Sequence, residues 1–363
     1  MDDINGLTFA APHPPPIGGY TRIAENFASA WAEQTGHSPV IIDTSPGRDK
    51  HEPGVGVRDV IRGLHIGAQM WWKVTPPRAF IVLATALFYQ KLRPVIDYLH
   101  RTRGLPTFVW FSGGVVHEAF QDVSVKKRKK LVASLNAVDR VIVETKQVRN
   151  GLQEEGVDDI ITMPNPRLVD WDNLPDISRS PDRQEIRVLF FSRVVAEKGP
   201  FVLAEAVQKA RSRGANVTYD IYGPVAESDC ASLQNHTDDD SIRYRGVFDG
   251  DTIEFIKDYD IVGLPTWFKG EGHPGVIVEA MMAGVPVLTT NHKAIPELVD
   301  DGENGLLVET NNVEQLTEAL CCLAENRQRI GKMGRAHRER LHQHDAAEAV
   351  RRVREEIEQI QNR

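Results

Sequence analysis

Short apolar runs alternate with longer stretches of helical period along most of the chain. Leu7–Ala11 is the first apolar run. After Pro14-Pro15-Pro16 and Gly18-Gly19, Ile23, Phe27 and Trp31 recur every fourth position. That spacing places three large apolar side chains on one face of a helix, and Gly36 is placed to end it. A second apolar run, Val40–Ile42, completes a strand–helix–strand unit of the kind that builds doubly wound sheets. Further strands are predicted at Phe80–Ala84, Thr107–Phe111 and Val141–Glu144. Ala79–Phe88 as a whole suits a buried strand and the start of the helix after it. Residues Lys50–Gly63, rich in glycine and charge, are predicted to form a loop.

The pattern restarts near Ile186. Strands are expected at Arg187–Ser192, Thr218–Tyr222, Ile261–Leu264, Val287–Thr290 and Leu306–Val308. Helices are expected from Pro200 to Ser212, over Val276–Ala283 and over Val313–Glu325. Pro200 suits a first helical turn, where a missing N–H costs nothing. Trp171–Glu185, polar with two prolines, reads as the linker. After Arg335 the chain is charged and helical to its end. The pattern therefore predicts two Rossmann-like α/β domains, residues 1–175 and 176–345, followed by a terminal helix, 346–363.

Length supports that division, because 363 residues exceed what one hydrophobic core usually organises. The balance of 41% apolar and 26% charged residues excludes a disordered chain. Residues 1–180 carry 21 Lys and Arg against 20 Asp and Glu, whereas residues 181–363 carry 22 against 31. An acidic second half argues against nucleic acid as a partner. The basic run Lys126–Lys130 opens an apparent helix and has two readings: a solvated helix face, or an attraction to anionic lipid headgroups or a lipid-linked phosphate. Cys230, Cys321 and Cys322 encode neither a disulfide framework nor a zinc site. The acidic Met1–Gly6 lacks the features of a signal peptide. No run reaches the roughly 18 apolar residues of a membrane span. The expectation is a cytoplasmic protein, with the basic run offering a peripheral contact at the inner face of the membrane.

Chemistry concentrates in Lys269–Gly284, which reads KGEGHPGVIVEAMMAG. Pro274 marks a helix start and Gly284 its end. Glu271 then lies on the approach loop and Glu279 within the helix, so two carboxylates lie along one edge, each able to accept sugar hydroxyls. Gly270, Gly272 and Gly275 allow a ligand close to backbone N–H groups at a helix N-terminus, which favours an anion such as pyrophosphate.

This segment resembles the signature of family 4 of the retaining glycosyltransferases, whose pattern is Glu, seven residues, Glu, then Ala-x-x-x-Gly-x-Pro-Val. Gly284-Val285-Pro286-Val287 is similar to its tail, and the likeness runs on through Ile295–Val299 and Asp301–Val308. The resemblance implies a GT-B architecture, with two Rossmann-like domains facing an inter-domain cleft and the terminal helix 346–363 returning to the N-terminal domain. It implies a donor-binding stretch of Gly272, His273, Pro274, Gly275 and Val276, with Glu271 on the donor sugar and Glu279 on the ribose. A second similar stretch is Ser192–Gly199, in which the resemblance places Arg193 and Lys198 on the donor diphosphate. Two fixed cations can stabilise a departing nucleoside diphosphate without a metal. A third is Gly18-Gly19 before the first helix, near donor phosphate and acceptor. Asn165-Pro166 stands where the family often has Asn-Gly.

The family's N-terminal-domain histidine, which points at the donor sugar, has no direct counterpart here. The corresponding strand reads PTFVWFSGG over residues 106–114, and His117, further along, is the candidate substitute. His273 likewise stands where the family is often apolar.

The implied function is retaining, metal-independent, hexosyl-type transfer from a UDP- or GDP-sugar to a glycan, lipid-linked or small-molecule acceptor. The local pattern resembles enzymes of bacterial surface-polysaccharide and lipopolysaccharide assembly. A non-catalytic nucleotide-sugar binder and a GT-B sugar-nucleotide epimerase are the alternatives. Asp238–Asp240, Asp249–Asp251 and Asp258–Asp260 formally fit the Asp-x-Asp of metal-dependent transferases but read as surface acids. Gly18-Gly19 does not make the Gly-x-Gly-x-x-Gly of a nicotinamide dehydrogenase.

Overall fold

In the computed structural model, residues 6–13, 19–45, 57–75, 79–177, 184–237 and 240–362 are described. The chain forms two compact units. Unit 1 is Met1–Leu168 with His344–Arg363, and unit 2 is Val169–Gln343.

Unit 1 is built on a six-stranded sheet. In chain order its elements are β1 (Leu7–Ala11), α1 (Gly19–Thr35), β2 (Val40–Asp43), α2 (Val57–Lys73), β3 (Ala79–Ala84), α3 (Ala86–Arg103), β4 (Thr107–Phe111), α4 (Val116–Gln121), α5 (Val125–Leu135), β5 (Arg140–Val143), α6 (Lys146–Glu154) and β6 (Ile160–Thr162). The spatial order is β2-β1-β3-β4-β5-β6, with every pairing parallel. A parallel sheet covered on both faces needs strands that are apolar throughout, and β1, β3, β4 and β5 are fully buried.

Unit 2 repeats the plan with β7 (Ile186–Phe191), α7 (Pro200–Ser212), β8 (Val217–Tyr222), α8 (Cys230–His236), β9 (Ile242–Tyr244), α9 (Thr252–Ile256), β10 (Ile261–Leu264), α10 (Gly275–Ala283), β11 (Val287–Thr290), β12 (Gly305–Val308), α11 (Val313–Glu325) and α12 (Gln328–Glu339). Its sheet order is β12-β11-β10-β7-β8-β9, again all parallel. The last helix, α13 (Ala346–Gln361), leaves this unit and packs on α1. Its Ala346, Ala349, Val350, Val353 and Ile357 share a core with Phe9, Phe27, Trp31 and Trp110. The chain is clasped where it returns: Arg167 N–H donates to the His344 carbonyl (2.7 Å), Ala346 N–H donates to the Arg167 carbonyl (2.8 Å), and Asn26 reaches the Pro166 carbonyl.

Two expectations change. Gly63 and the neighbouring charges suggested a loop through residue 63, but α2 begins at Val57. Its helical face is anchored by Ile66 and Met70 in the core, and packing overrides the two glycines inside it. Residues 50–56 of that predicted loop lie outside the described residues. The acids of the three Asp-x-Asp stretches are also not all on the surface. Asp260 is 3% exposed, accepts from the Arg187 N–H and is paired with Arg327, so it ties the start of β7 to the region after α11. Asp251 caps α9 through the N–H groups of Ile253 and Glu254. Asp238 lies outside the described residues.

Candidate active site at the switch point of unit 2

In the unit 2 sheet β8 and β9 extend to one side of β7, and β10, β11 and β12 to the other. The strand order therefore reverses between β7 and its partner β10. Ligands of open parallel sheets bind at the carboxyl ends of the strands at this point, where two connections diverge. Those connections carry the candidate residues. Arg193 and Lys198 lie between β7 and α7, and Glu271 lies between β10 and α10.

The two connections are stitched together. Trp267 N–H donates to the Glu197 carbonyl (2.8 Å), and the Thr266 hydroxyl lies 3.1 Å from that oxygen and 2.9 Å from Glu271 Oε2. Lys198 ends a single 3₁₀ turn, Ala196–Lys198, and Gly199 follows at φ +84°. A side chain at 199 would bring Cβ to 2.3 Å from the Pro265 carbonyl oxygen, so the close approach of the two connections requires glycine. Gly223, after β8, has the same function. At φ +139° its Cβ would fall 1.8 Å from the Ser192 carbonyl oxygen, directly before Arg193.

Lys198 and Glu271, 73 positions apart, meet as a buried ion pair. The ammonium donates to Glu271 Oε1 (2.8 Å) and Oε2 (2.6 Å), with Lys198 8% and Glu271 5% exposed. The Phe268 ring lies beneath both cations, 4.9 Å from Lys198 Nζ and 5.8 Å from Arg193 Cζ. Arg193 itself is exposed, so its charge is available to an incoming anion. Behind the pair, Thr290 donates to the Thr266 carbonyl and His292 Nε2 lies 3.1 Å from the Phe268 carbonyl, holding the loop from β11.

Two helix N-termini open at this edge. α10 starts after Pro274 and α7 after Gly199, and neither has a side-chain cap. Their first-turn N–H groups and dipoles favour a negatively charged ligand. Gly272, His273 and Pro274 are buried on the approach, His273 Nε2 lies 3.6 Å from Glu297 Oε2, and Gly275 and Val276 form the first turn. Glu279 is buried in the next turn at 6% exposure. Apart from Glu279, α10 is apolar, and it is wholly enclosed from Val276 to Ala283. α12 braces it: Gly334 sits against the Gly284 carbonyl, Arg338 donates to the Met282 carbonyl, and His337 Nε2 donates to the Ile277 carbonyl (3.3 Å). Burial pushes the His337 imidazole down to about 4, so it stays neutral at pH 7.

The remaining candidates, Gly18, Gly19 and His117, belong to unit 1. Gly19 is the first residue of α1, and Gly18 falls outside the described residues. His117 is in α4, with its ring against Gly151 of α6. A Cβ at 151 would meet the ring at 2.5 Å. At the carboxyl ends of β4 and β5 the structure adds a group that sequence reading missed. Glu144, 3% exposed, accepts from the Ser112 hydroxyl (2.9 Å) and the Gly113 N–H (3.1 Å). Burial, followed by the Glu144 charge, drives the Tyr20 phenol far above its ordinary range. Thr266 and Phe268 were missed in unit 2. Their signal was an aromatic pair, Trp267-Phe268, directly after an apolar strand and before a glycine-rich loop.

Residues 185–326, which include the entire site from Arg193 to Glu279, match the family model described as "Glycosyl transferases group 1". Two such units with parallel sheets make the architecture GT-B. The fold is shared over nearly the full length with Anabaena HepE, solved in complex with UDP: the TM-score is 0.72 at 16% identity, covering 98% of this chain and 100% of that one. Among curated relatives, the chain is 30% identical over 142 residues to the putative colanic acid biosynthesis glycosyltransferase WcaL of Salmonella typhimurium, covering 37% of this chain and 35% of the relative. It is 24% identical over 241 residues to the poly(ribitol-phosphate) alpha-N-acetylglucosaminyltransferase of Staphylococcus aureus, covering 64% and 47%. The chain thus spans less than half the length of these two relatives.

Proposed function

We propose that the chain is a glycosyltransferase that moves a sugar from a nucleoside-diphosphate donor to an acceptor, retaining the anomeric configuration and using no metal. The observation that carries this reading is the Lys198–Glu271 pair at the switch point, between two helix N-termini. An ammonium and a carboxylate there can address adjoining parts of one ligand: a diphosphate, and the sugar hydroxyls beside it.

In this reading the donor diphosphate lies over Arg193 and the first turn of α10. The sugar reaches Glu271 and the ribose reaches Glu279. As the bond to the anomeric carbon breaks, negative charge grows on the departing phosphate. Lys198 then shifts its hydrogen bonds from Glu271 toward that oxygen, while Arg193 neutralises the distal charge. The phosphate takes the acceptor proton on the same face of the sugar, so no protein nucleophile is required. The packing of His117 on Gly151 supports a structural role for that ring, and no step is assigned to it. Gly19 opens α1, and with Gly18 it would border the acceptor. The names of the relatives support an acceptor of the surface-polysaccharide or poly(ribitol-phosphate) kind, and HepE's UDP supports a uridine donor.

The test is a panel of UDP- and GDP-sugars incubated with the protein, with and without simple glycoside acceptors. Release of nucleoside diphosphate with formation of an α-linked product from an α-donor supports the proposal. An isomerised donor would point to an epimerase instead, and binding without turnover to a non-catalytic receptor.

A further inference from the structure

One face of unit 1 is covered by α2, α3, α4, α5 and α6, whose inner residues share a single core against the sheet, and α2, α3 and α5 lie side by side within it. α3 is neighbour to both of the others. Their outward surfaces are unusual. On α3 the exposed stripe is Leu87, Lys91, Pro94, Tyr98 and Arg101, spaced by four and three. On α2 it is Leu64, Ala68, Trp71 and Trp72, and on α5 it is Val125, Lys126, Lys127, Lys129, Lys130 and Ala133. Within residues 62–73, 86–103 and 125–135 of these helices no exposed position is acidic, although the whole chain carries a net charge of −8.

The apolar content is as distinctive. Trp72 is 83% exposed, Leu64 70%, Leu87 69% and Val125 65%. Of the ten large hydrophobic side chains exposed among the described residues, six lie on these helices. Trp71 is held in place rather than loose. It stacks on Tyr98 (5.1 Å between centroids), and the Arg103 guanidinium sits 5.3 Å from its ring. An ordinary solvated helix face mixes both signs of charge and buries its tryptophans. Aromatic rings with a polar edge, flanked by lysine and arginine and free of acids, are the composition that settles at a bilayer interface. The lysines complement an anionic headgroup layer, and the rings complement the acyl boundary beneath it.

We infer that this face docks on an anionic lipid surface, with α5 supplying the charge and α2 and α3 supplying the inserted side chains. No helix among the described residues is long and apolar enough to cross a membrane, so the contact is peripheral. The inference does not depend on the transfer activity.

The test is vesicle flotation with the full chain, comparing phosphatidylcholine alone with phosphatidylcholine and phosphatidylglycerol at roughly three to one. The wild type should float with the anionic vesicles, not the neutral ones, and binding should fall as salt rises. Two variants share the work: Lys126, Lys127, Lys129 and Lys130 all changed to Gln, and Trp72→Ser. Both replace exposed side chains, and circular dichroism should show an unchanged fold. The quadruple variant should lose at least about tenfold in apparent affinity. The Trp72→Ser variant should lose several-fold, and with it part of the blue shift in tryptophan emission seen on binding. Equal flotation of wild type and both variants overturns the inference. So does equal binding to neutral vesicles, or a Trp72-dependent response to a neutral oligosaccharide with no flotation.

Discussion

Replacing Lys198 by Met would leave the Glu271 carboxylate, 5% exposed, without the ammonium that meets both of its oxygens. At the observed separations the gross attraction is about 6 kcal/mol for an effective dielectric near 20. Desolvation of two nearly enclosed ions offsets much of that, yet breaking such a pair from one side costs roughly 3–5 kcal/mol, because the stranded charge remains. Glu271→Leu alone should cost a similar amount by stranding Lys198. The double variant, with two apolar side chains of matching size, should recover most of the loss. The coupling in the cycle should therefore exceed the loss of either single variant, at about 4 kcal/mol or more. Urea unfolding of the four proteins gives the totals, and hydrogen exchange of the α10 amides reports unit 2 separately from unit 1. Single losses that add within about 0.5 kcal/mol in the double variant would refute the idea that these side chains form one buried unit.

Further outcomes follow from the same geometry. His337 is neutral when folded, with its imidazole lowered from 6.5 to about 4, while the unfolded chain takes up a proton below 6.5. The stability this provides is complete above about pH 6.5 and drains away between there and pH 4, by up to roughly 3 kcal/mol. His337→Gln should flatten the decline in unit 2's unfolding midpoint over that window, and an equal slope in both proteins would contradict it. Gly199→Ala should separate the β7 and β10 connections, since the Pro265 carbonyl must move. A loss of about tenfold or more in turnover is expected with unit 1's melting unchanged, whereas wild-type turnover would show that the approach is not needed. Under the proposed function transfer should survive excess EDTA, because Arg193 and Lys198 would meet the diphosphate charge. Activity lost to chelation and restored by magnesium or manganese would count against that.

Much of the fold was readable because a parallel sheet needs continuous apolar runs. Leu7–Ala11, Thr107–Phe111, Ile261–Leu264 and Val287–Thr290 are strands with the boundaries their hydrophobicity implied. The elements that escaped are short edge strands and helices set by tertiary contact. β6 and β9 have three residues each, too few for a period, and α2 is held by Ile66 and Met70 despite Gly63 and Gly67. The sequence marked Lys198 and Glu271 as separate residues for phosphate and sugar. It could not mark their pairing, which depends on β7 and β10 being neighbours although 73 residues separate the two side chains. Gly199 and Gly223 were silent for a similar reason, because the backbone each one accommodates belongs to a distant strand end. The exposed tryptophans of α2 carried no signal until the helix was placed with Met70 inward.

The central claim is that this switch point holds a nucleoside diphosphate beside a sugar. Calorimetric titration of UDP and GDP into wild type, Lys198→Met and Glu271→Gln tests it most directly. Nucleoside diphosphate lacks the sugar, and Glu271 holds Lys198 in the free protein. The Glu271→Gln variant should therefore bind diphosphate at least as tightly as wild type, and Lys198→Met should bind it about tenfold or more weakly. Weaker binding by Glu271→Gln than by Lys198→Met, or no binding of either nucleotide by the wild type, would contradict the account.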